Sequence, residues 1–304
     1  MMTAGNILSI DDISQLNSIL NQGKPKHPLI SVVDFSKVDF HQPDIPEKIK
    51  CKTAFYCILS KTLKADSLQY GRQHYDFHEG SLFFIAPNQI TSLEKADYAL
   101  GWGLYFHPDL IKGTSLDQRI KNYTYFKYDL NEALHISEEE KTTLTRVVHE
   151  IESEINRPVD KHSKPVIVSG IELMLNHCMR FYDRQFITRS AASKDAIAAV
   201  EDFLLSYIDS DQCRENGLPT VVQCAEVANL SKNYLSDLLK KETGKSTQDH
   251  IHYFLIEQAK SKLLGCNHSV SEIAYELGFE YPQYFSKLFK RKVGMSPLEY
   301  RDLN

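Results

Sequence analysis

YLSDLLKKETGKS (residues 234–246) and YFSKLFKRKVGMS (residues 284–296) are one pattern written twice. Tyr234/Tyr284, Ser236/Ser286, Leu238/Leu288, Lys240/Lys290, Gly244/Gly294 and Ser246/Ser296 recur at an offset of fifty, with Leu239/Phe289 and Lys241/Arg291 as conservative matches. Upstream the offset is forty-nine, through Ala225/Ala274, Ala228/Leu277, Asn229/Gly278 and Leu230/Phe279. The second copy therefore holds one extra residue near Glu280 and Tyr281, where a turn between two helices absorbs it. In each copy a short apolar helix stops at a residue that tolerates the left-handed conformation, Asn229 or Gly278, and a second helix starts within a few positions. That is a helix-turn-helix layout.

The second helix of each copy has two unlike faces. Ser231 is placed to cap a helix over 232–242, in which Leu235, Leu238 and Leu239 face a core. The other side carries Lys232, Asn233, Ser236, Asp237 and Lys240. Phe285, Leu288 and Phe289 are the inward residues of the second copy, opposite Gln283, Ser286, Lys287, Lys290 and Arg291. Short polar side chains at the start of such a helix reach base edges, and cations further along hold phosphates. The expected base contacts are Lys232, Asn233, Ser236, Asp237, Gln283, Ser286 and Lys287, and the expected phosphate contacts are Lys240, Lys241, Lys290 and Arg291. Between the copies, Ile251, Leu255, Ala259 and Leu263 fall at helical spacing over 249–264, with Gly265 at the expected stop. A helix of that length is about 24 Å long, enough to hold two reading helices apart. Successive major-groove segments on one DNA face lie about 34 Å apart.

Residues 218–301 resemble the DNA-binding domain of AraC-type transcription regulators. The resemblance is carried by LKKETGKS (239–246), IEQAKSKLL (256–264), VSEIAYELGF (270–279) and YFSKLFKRKVGMSPLEYR (284–301). It implies double-stranded DNA as partner, a first helix-turn-helix over 220–244, a linking helix over 249–264 and a second helix-turn-helix over 270–294. It also implies an opening helix, which Asp195 to Ile208 fits with Ser193 as cap, so the domain is placed at 195–304. Two positions depart from the family pattern. Asp237 stands where a base-contacting, often basic, side chain is implied, and Leu255 stands where the linking helix commonly carries arginine. A carboxylate facing DNA repels phosphate but accepts a hydrogen bond from cytosine N4, so Asp237 is expected to set specificity.

The chain has 304 residues, a net charge of −5 and 42% hydrophobic residues, which predicts at least two compact domains with real cores. Residues 218–304 hold eleven Lys/Arg against ten Asp/Glu, leaving −6 for the rest. Nucleic-acid binding must then rely on local cation clusters and weaken with salt. No stretch approaches the roughly 20 apolar residues that span a bilayer, and no basic-then-apolar leader opens the sequence, so no membrane association and a cytoplasmic location are expected. Cysteines at 51, 57, 178, 213, 224 and 266 include no Cys-x-x-Cys pair and read as cytosolic thiols.

Before residue 130 the period shifts to two, with many aromatics. Tyr98, Leu100, Trp102, Leu104 and Phe106 alternate with Ala99, Gly101, Gly103 and Tyr105. The runs 54–60 and 82–86 read as buried strands, punctuated by turns at Tyr70-Gly71, Glu79-Gly80 and Pro87-Asn88. A small barrel or sandwich follows. The stretch YDFHEGSLFFIAPNQI (75–90) resembles the cupin-like sensor domain often fused to AraC-type domains. That likeness implies a small-molecule effector at the barrel mouth, with Tyr56, Tyr70, Arg72, Trp102 and Tyr105 as effector-binding candidates on residue type. His74, Asp76 and His78 share one strand face, but Tyr75 and Phe77 are the natural inward residues, so no metal site is expected. His41 and His107 add no ligand spacing. No cofactor and no catalytic residue is assigned, and the chain is not expected to be an enzyme.

Ser137 and Glu140 form a capping box ahead of Leu144, Val147, Val148, Ile151 and Ile155 at helical intervals. A second helix is predicted over 165–184, striped by Ile167, Ile171, Met174, Leu175, Cys178 and Phe181. The expected fold class is α+β multidomain: a cupin-like β-barrel at 1–135, an antiparallel helical pair at 136–187 that packs on the barrel or makes a homodimer, a polar linker at 188–194, and an all-α domain with two helix-turn-helix units joined by a long helix. Three functions stay open for the first half: effector sensor, metal-dependent cupin enzyme, or an interaction module that dimerises or contacts RNA polymerase.

Overall fold

The computed structural model describes residues 7–38, 48–61, 80–94, 101–188, 190–265 and 267–303. The chain divides into two compact units, Met1–Gln185 and Phe186–Asn304.

In the first unit, β1 (Leu8–Ile10) leads to α1 (Ile13–Ile19), β2 (Ile30–Asp34), β3 (Lys48–Thr53), β4 (Tyr56–Lys61), β5 (Ser81–Ile85), β6 (Ile90–Glu94) and β7 (Gly101–Phe106). Two short helices, α2 (Pro108–Ile111) and α3 (Ser115–Arg119), precede β8 (Leu134–His135). The strands fall into a three-stranded sheet ordered β1-β3-β6 and a five-stranded antiparallel sheet ordered β2-β7-β4-β5-β8. Among the described residues no closed barrel is formed, since each sheet keeps two edges. Pairing between non-adjacent segments decides closure, and a period-two pattern carries no information on it. The residues 39–47, 62–79 and 95–100 lie outside the described set, and with them His41, Tyr70, Arg72, His74, Asp76, His78, Tyr98 and Leu100.

The five-stranded sheet is buried on both faces, each for its own reason. One face sends Val33, Cys57, Leu59, Ile85 and Tyr105 into a core shared with Ile10 of the smaller sheet and Ile13 and Leu16 of α1. On the opposite face Tyr56 pairs across strands with Phe106, ring centroids 5.0 Å apart, and Phe84 packs on Tyr125 at 4.4 Å. The expected small face of β7 has a direct cause. The ring of Tyr105 lies back along its own strand, within 2.6 Å of where a Cβ on Gly103 would stand.

The helical pair is α4 (Glu138–Ile155) and α5 (Ser163–Thr188). Ser137 and Glu140 form the anticipated capping box, with the Ser137 hydroxyl accepting the Glu140 N–H. The two helices run antiparallel: Arg184 reaches Glu140 at 2.7 Å at one end, and Gly170 lies against Ile151 at the other. The predicted stripes are buried, from Leu144 to Ile155 on α4 and from Ile167 to Phe181 on α5. Tyr123, Tyr125 and Tyr182 join α5 to the segment 123–132 through their hydroxyls, the Tyr125 hydroxyl donating to the Leu175 carbonyl at 2.9 Å and that of Tyr182 to the Glu132 carbonyl at 3.1 Å.

The second unit is helical: α6 (Ser190–Asp209), α7 (Gln212–Asn216), α8 (Val221–Val227), α9 (Lys232–Thr243), α10 (Thr247–Gly265), α11 (Val270–Glu276), α12 (Pro282–Val293) and α13 (Pro297–Leu303). One cluster joins Val200 and Leu204 of α6, Ala225 of α8, Leu235 of α9, Leu255 and Ala259 of α10, Ile273 of α11 and Phe285 and Phe289 of α12. Each buried Leu or Phe stabilises by roughly 1.5–3 kcal/mol, so this shared core holds both copies of the repeat. Two local expectations are corrected, and one is borne out. Helix α6 starts at Ser190, so the segment read as a polar connector is largely helical and Ser193 is a buried interior residue in place of a cap. Leu255 is core, as its place in the apolar stripe with Ile251, Ala259 and Leu263 predicts. Gly265 closes α10 as its last helical residue without taking a positive φ.

Candidate nucleic-acid interface

The two copies are built by the same four devices. Thr220 and Gln223 form a capping box at the start of α8, and Ser269 and Glu272 form its counterpart on α11. Each first helix then ends in a left-handed residue, Asn229 at φ 53° and Gly278 at φ 84°. The Leu230 N–H donates to the Ala225 carbonyl and the Phe279 N–H to the Ala274 carbonyl, both at 3.0 Å. These bonds use carbonyls that the helix end would leave without partners. Gly278 could not be exchanged for Asn as its counterpart is, because a Cβ there would meet the Cys213 carbonyl oxygen at 2.6 Å.

The extra residue of the second copy is Glu280. Ser231 caps α9 by accepting the Tyr234 N–H at 3.2 Å, whereas α12 begins at Pro282 after Tyr281, fifty positions from the first copy, with no side-chain cap. Proline at the first helical position supplies a preset φ and removes one donor that no carbonyl would take. Both second helices end on glycines in the left-handed conformation, Gly244 at φ 75° and Gly294 at φ 92°.

On α9 the inward residues are Tyr234, Leu235, Leu238 and Leu239. Lys232, Lys240 and Lys241 are exposed, and Asn233, Ser236 and Asp237 are half-buried. Ser236 is directed inward more than the sequence suggests: its hydroxyl lies 3.1 Å from that of Thr247, a fully buried residue at the start of α10. On α12 the inward residues are Phe285, Leu288 and Phe289. Gln283, Tyr284, Lys287, Lys290, Arg291 and Lys292 are exposed and Ser286 is half-buried. The structure thus gathers Gln283 and Lys287 near the start of one helix and Lys290 and Arg291 at its end. The three basic residues of the last turn also oppose the negative end of the helix dipole.

Contacts between helices also set this geometry. Lys292 bonds to Asp249 on α10 at 2.8 Å, and the Ser246 hydroxyl donates to the same carboxylate at 2.7 Å. Lys292 and Ser246 hold the Asp249 carboxyl well below the usual carboxylate range. Lys262 and His268 both reach Glu276 at 2.7 Å, Lys262 being the larger cause of its lowered pKa. Arg301 donates to the carbonyls of Leu263 and His268, closing the end of α10. The capping boxes at Thr220 and Ser269 could have been found from their Thr/Ser-x-x-Gln/Glu spacing.

The effector candidates are not brought together. Tyr56 and Trp102 lie on the face of the five-stranded sheet that carries Phe106, while Tyr105 lies on the other face with Cys57, and Tyr70 and Arg72 fall outside the described residues. Burial pushes the Cys57 thiol up to about 12 and those of Cys213 and Cys224 to about 11, so these cysteines are protonated packing residues. His107 caps α2. Among the described residues no group of His, Cys, Asp or Glu is arranged to hold a metal ion, and no helix is long and apolar enough to cross a membrane.

Residues 224–302 match the family model described as "Helix-turn-helix domain". The chain is 29% identical over 145 residues to the "Uncharacterized HTH-type transcriptional regulator YijO" of Escherichia coli (strain K12), covering 48% of this chain and 47% of that protein. It is 32% identical over 106 residues to the "HTH-type transcriptional activator RhaR" of Yersinia pseudotuberculosis serotype O:1b (strain IP 31758), covering 34% of this chain and 32% of that protein. The match thus spans about half the length of the first of these curated relatives and a third of the second. Among solved structures, the C-terminal domain of the two-component response regulator yesN from Fusobacterium nucleatum is similar at 30% identity, covering 35% of this chain and 98% of that chain, with a TM-score of 0.31. The carboxy-terminal unit of this chain carries a helix-turn-helix domain similar in sequence to those of transcriptional regulators.

Proposed function

We propose that the protein is a sequence-specific regulator of transcription that binds duplex DNA through α9 and α12. The observation that supports this reading most directly is the repetition of one capped helix-turn-helix, down to paired hydrogen bonds at Ala225 and Ala274, about a single core. In this reading Lys232, Asn233, Asp237, Gln283, Ser286 and Lys287 face base edges, Lys240, Lys241, Lys290 and Arg291 face phosphates, and Ser236 contributes with the lone pair that its bond to Thr247 leaves over. Helix α10, with 19 residues, is roughly 28 Å long, which suits helices entering successive major-groove segments.

The first unit is proposed as a cupin-like sensor of a small molecule that shifts the affinity of the second unit for DNA, which requires unequal binding to two states of the protein. A second reading, in which this unit serves only for homodimerisation or for contact with RNA polymerase, is favoured by one observation. Val166, Leu173 and Met179 are exposed along α5, two of them beside a shallow groove at Gly170 and Ile151. A thermal-shift screen of small metabolites separates the two, since only a sensor gains stability from a ligand.

Selection of bound sequences from random duplex DNA with the full chain tests the main proposal. Two conserved blocks about one helical turn apart are expected. Recovery of no preferred sequence would overturn the reading.

A further inference from the structure

The repeated block opens with tyrosine in both copies, yet the two rings have opposite surroundings. Tyr234 is 7% exposed, whereas Tyr284 is 61% exposed. Tyr284 packs edge-on against Tyr281, itself 45% exposed, with ring centroids 5.6 Å apart and planes at 88°. The Tyr284 N–H donates to the Tyr281 carbonyl at 3.0 Å, so the backbone of the first turn fixes the pair. An exposed aromatic standing alone needs no explanation, but two rings braced against each other at the tip of α12 form an apolar platform that the described residues of the second unit leave largely exposed. On the same helix Tyr284, Lys287 and Arg291 stand at i, i+3 and i+7 and share a stripe, and Lys287, Lys290 and Arg291 are exposed. The platform therefore sits at the head of a cationic face, complementary to a polyanion and unsuited to an apolar protein surface.

We propose that Tyr284 is a specificity-determining residue that reads thymine, its ring packing on the 5-methyl group while Tyr281 holds it in place. The inference rests on the DNA-binding reading given above. The thymine methyl is the apolar group that the bases project into the major groove, and it takes apolar contact from side chains. Gln283, exposed beside Tyr284, has the amide that pairs with adenine N6 and N7, so the tip of α12 is equipped for both members of A·T pairs. The first copy lacks this platform because Tyr234 is turned into the fold. The two units then read different base classes despite their shared pattern.

The test uses the full chain and the duplex recovered by selection from random DNA, with each thymine replaced singly by uracil, which deletes only the 5-methyl group. At one thymine of one block the wild-type protein should bind about fourfold more weakly to the uracil duplex, the factor expected for one methyl taken out of apolar contact. Tyr284→Ala should bind the thymine duplex more weakly and be indifferent to that replacement, while Tyr284→Phe should keep the full difference. Because the side chain is exposed, both variants should melt as the wild type does. A uracil penalty that persists unchanged in Tyr284→Ala, or wild-type binding insensitive to every uracil replacement, would overturn this assignment while leaving DNA binding intact. Recovery of no sequence would overturn both.

Discussion

Lys292 and Asp249 tie the last turn of α12 to the first turn of α10, with Nζ 2.8 Å from Oδ1. Lys292 follows Lys290 and Arg291 in the sequence, but its charge is engaged by a carboxylate, whereas among the described residues theirs are not. Lys292→Ala should therefore lower stability slightly, by about 1 kcal/mol or less for a pair this exposed, and leave the salt dependence of DNA binding unchanged. Lys290→Ala or Arg291→Ala should each reduce the slope of log affinity against log salt by about one. Binding isotherms at four salt concentrations decide the matter, and an equal change in slope for all three variants would refute the distinction.

Gly278→Ala should be among the most destabilising single changes in the second unit. The new Cβ meets both a left-handed φ of 84° and the Cys213 carbonyl oxygen at 2.6 Å. Left-handed backbone alone costs an ordinary residue roughly 1–2 kcal/mol, and the clash adds to it. Gly244→Ala pays only the backbone cost, since nothing lies within 4 Å of its Cβ position. Chemical denaturation should rank Gly278→Ala well below Gly244→Ala, and a reversed order would show that the close approach relaxes freely.

Asp237→Ala should alter which base is preferred at one position of the site read by α9. Removing a carboxylate from a face opposite phosphate raises general affinity, and removing an acceptor for cytosine N4 relaxes discrimination. Selection repeated with the variant would show a weaker cytosine preference in one block. An unchanged site preference together with unchanged affinity would remove Asp237 from the interface.

The second unit should lose stability as the pH falls below about 6.5. Desolvation lowers the pKa of His250, against opposing pulls from Glu201 and Asp249 and with Lys245 adding to it; His252 is lowered by desolvation, then by Lys292 and Arg291. A histidine whose folded pKa is depressed contributes stability above its unfolded value near 6.5, and that contribution is lost as pH falls through the folded pKa. Asp249, held below the usual carboxylate range, adds a separate loss only in stronger acid. Melting curves recorded by circular dichroism across this range should slope downward toward acid, and His250→Gln should flatten them.

Periodicity and repetition exposed the second unit well because the forces that shape it are local. Asn229 and Gly278 announce left-handed turns, Ser231 announces a cap, and the shift from forty-nine to fifty places Glu280 in the turn. The bond between Ser236 and Thr247 and the pairing of Lys292 with Asp249 depend on how α9, α10 and α12 meet, which no spacing along one helix reveals. Ser193 lies inside α6 because that helix extends beyond the residues that its apolar face requires. In the first unit the alternation of Trp102, Leu104 and Phe106 identifies a strand but not which edge finds a partner, so it leaves barrel and sandwich equally open; among the described residues the strands form two sheets.

Helix α10 is packed from Ile251 to Leu263 into the same core as α9 and α12. Such a helix behaves as a fixed gauge: its ends cannot be drawn together or spread without breaking the interior that both copies share. In the proposed complex, a duplex with one base pair inserted between the two blocks would turn the second block by about a tenth of a rotation, which α10 cannot follow without opening that core. The mismatch would then be absorbed by twisting the DNA or by releasing one block, which would make the spacing of the proposed site as much a part of its message as the bases themselves.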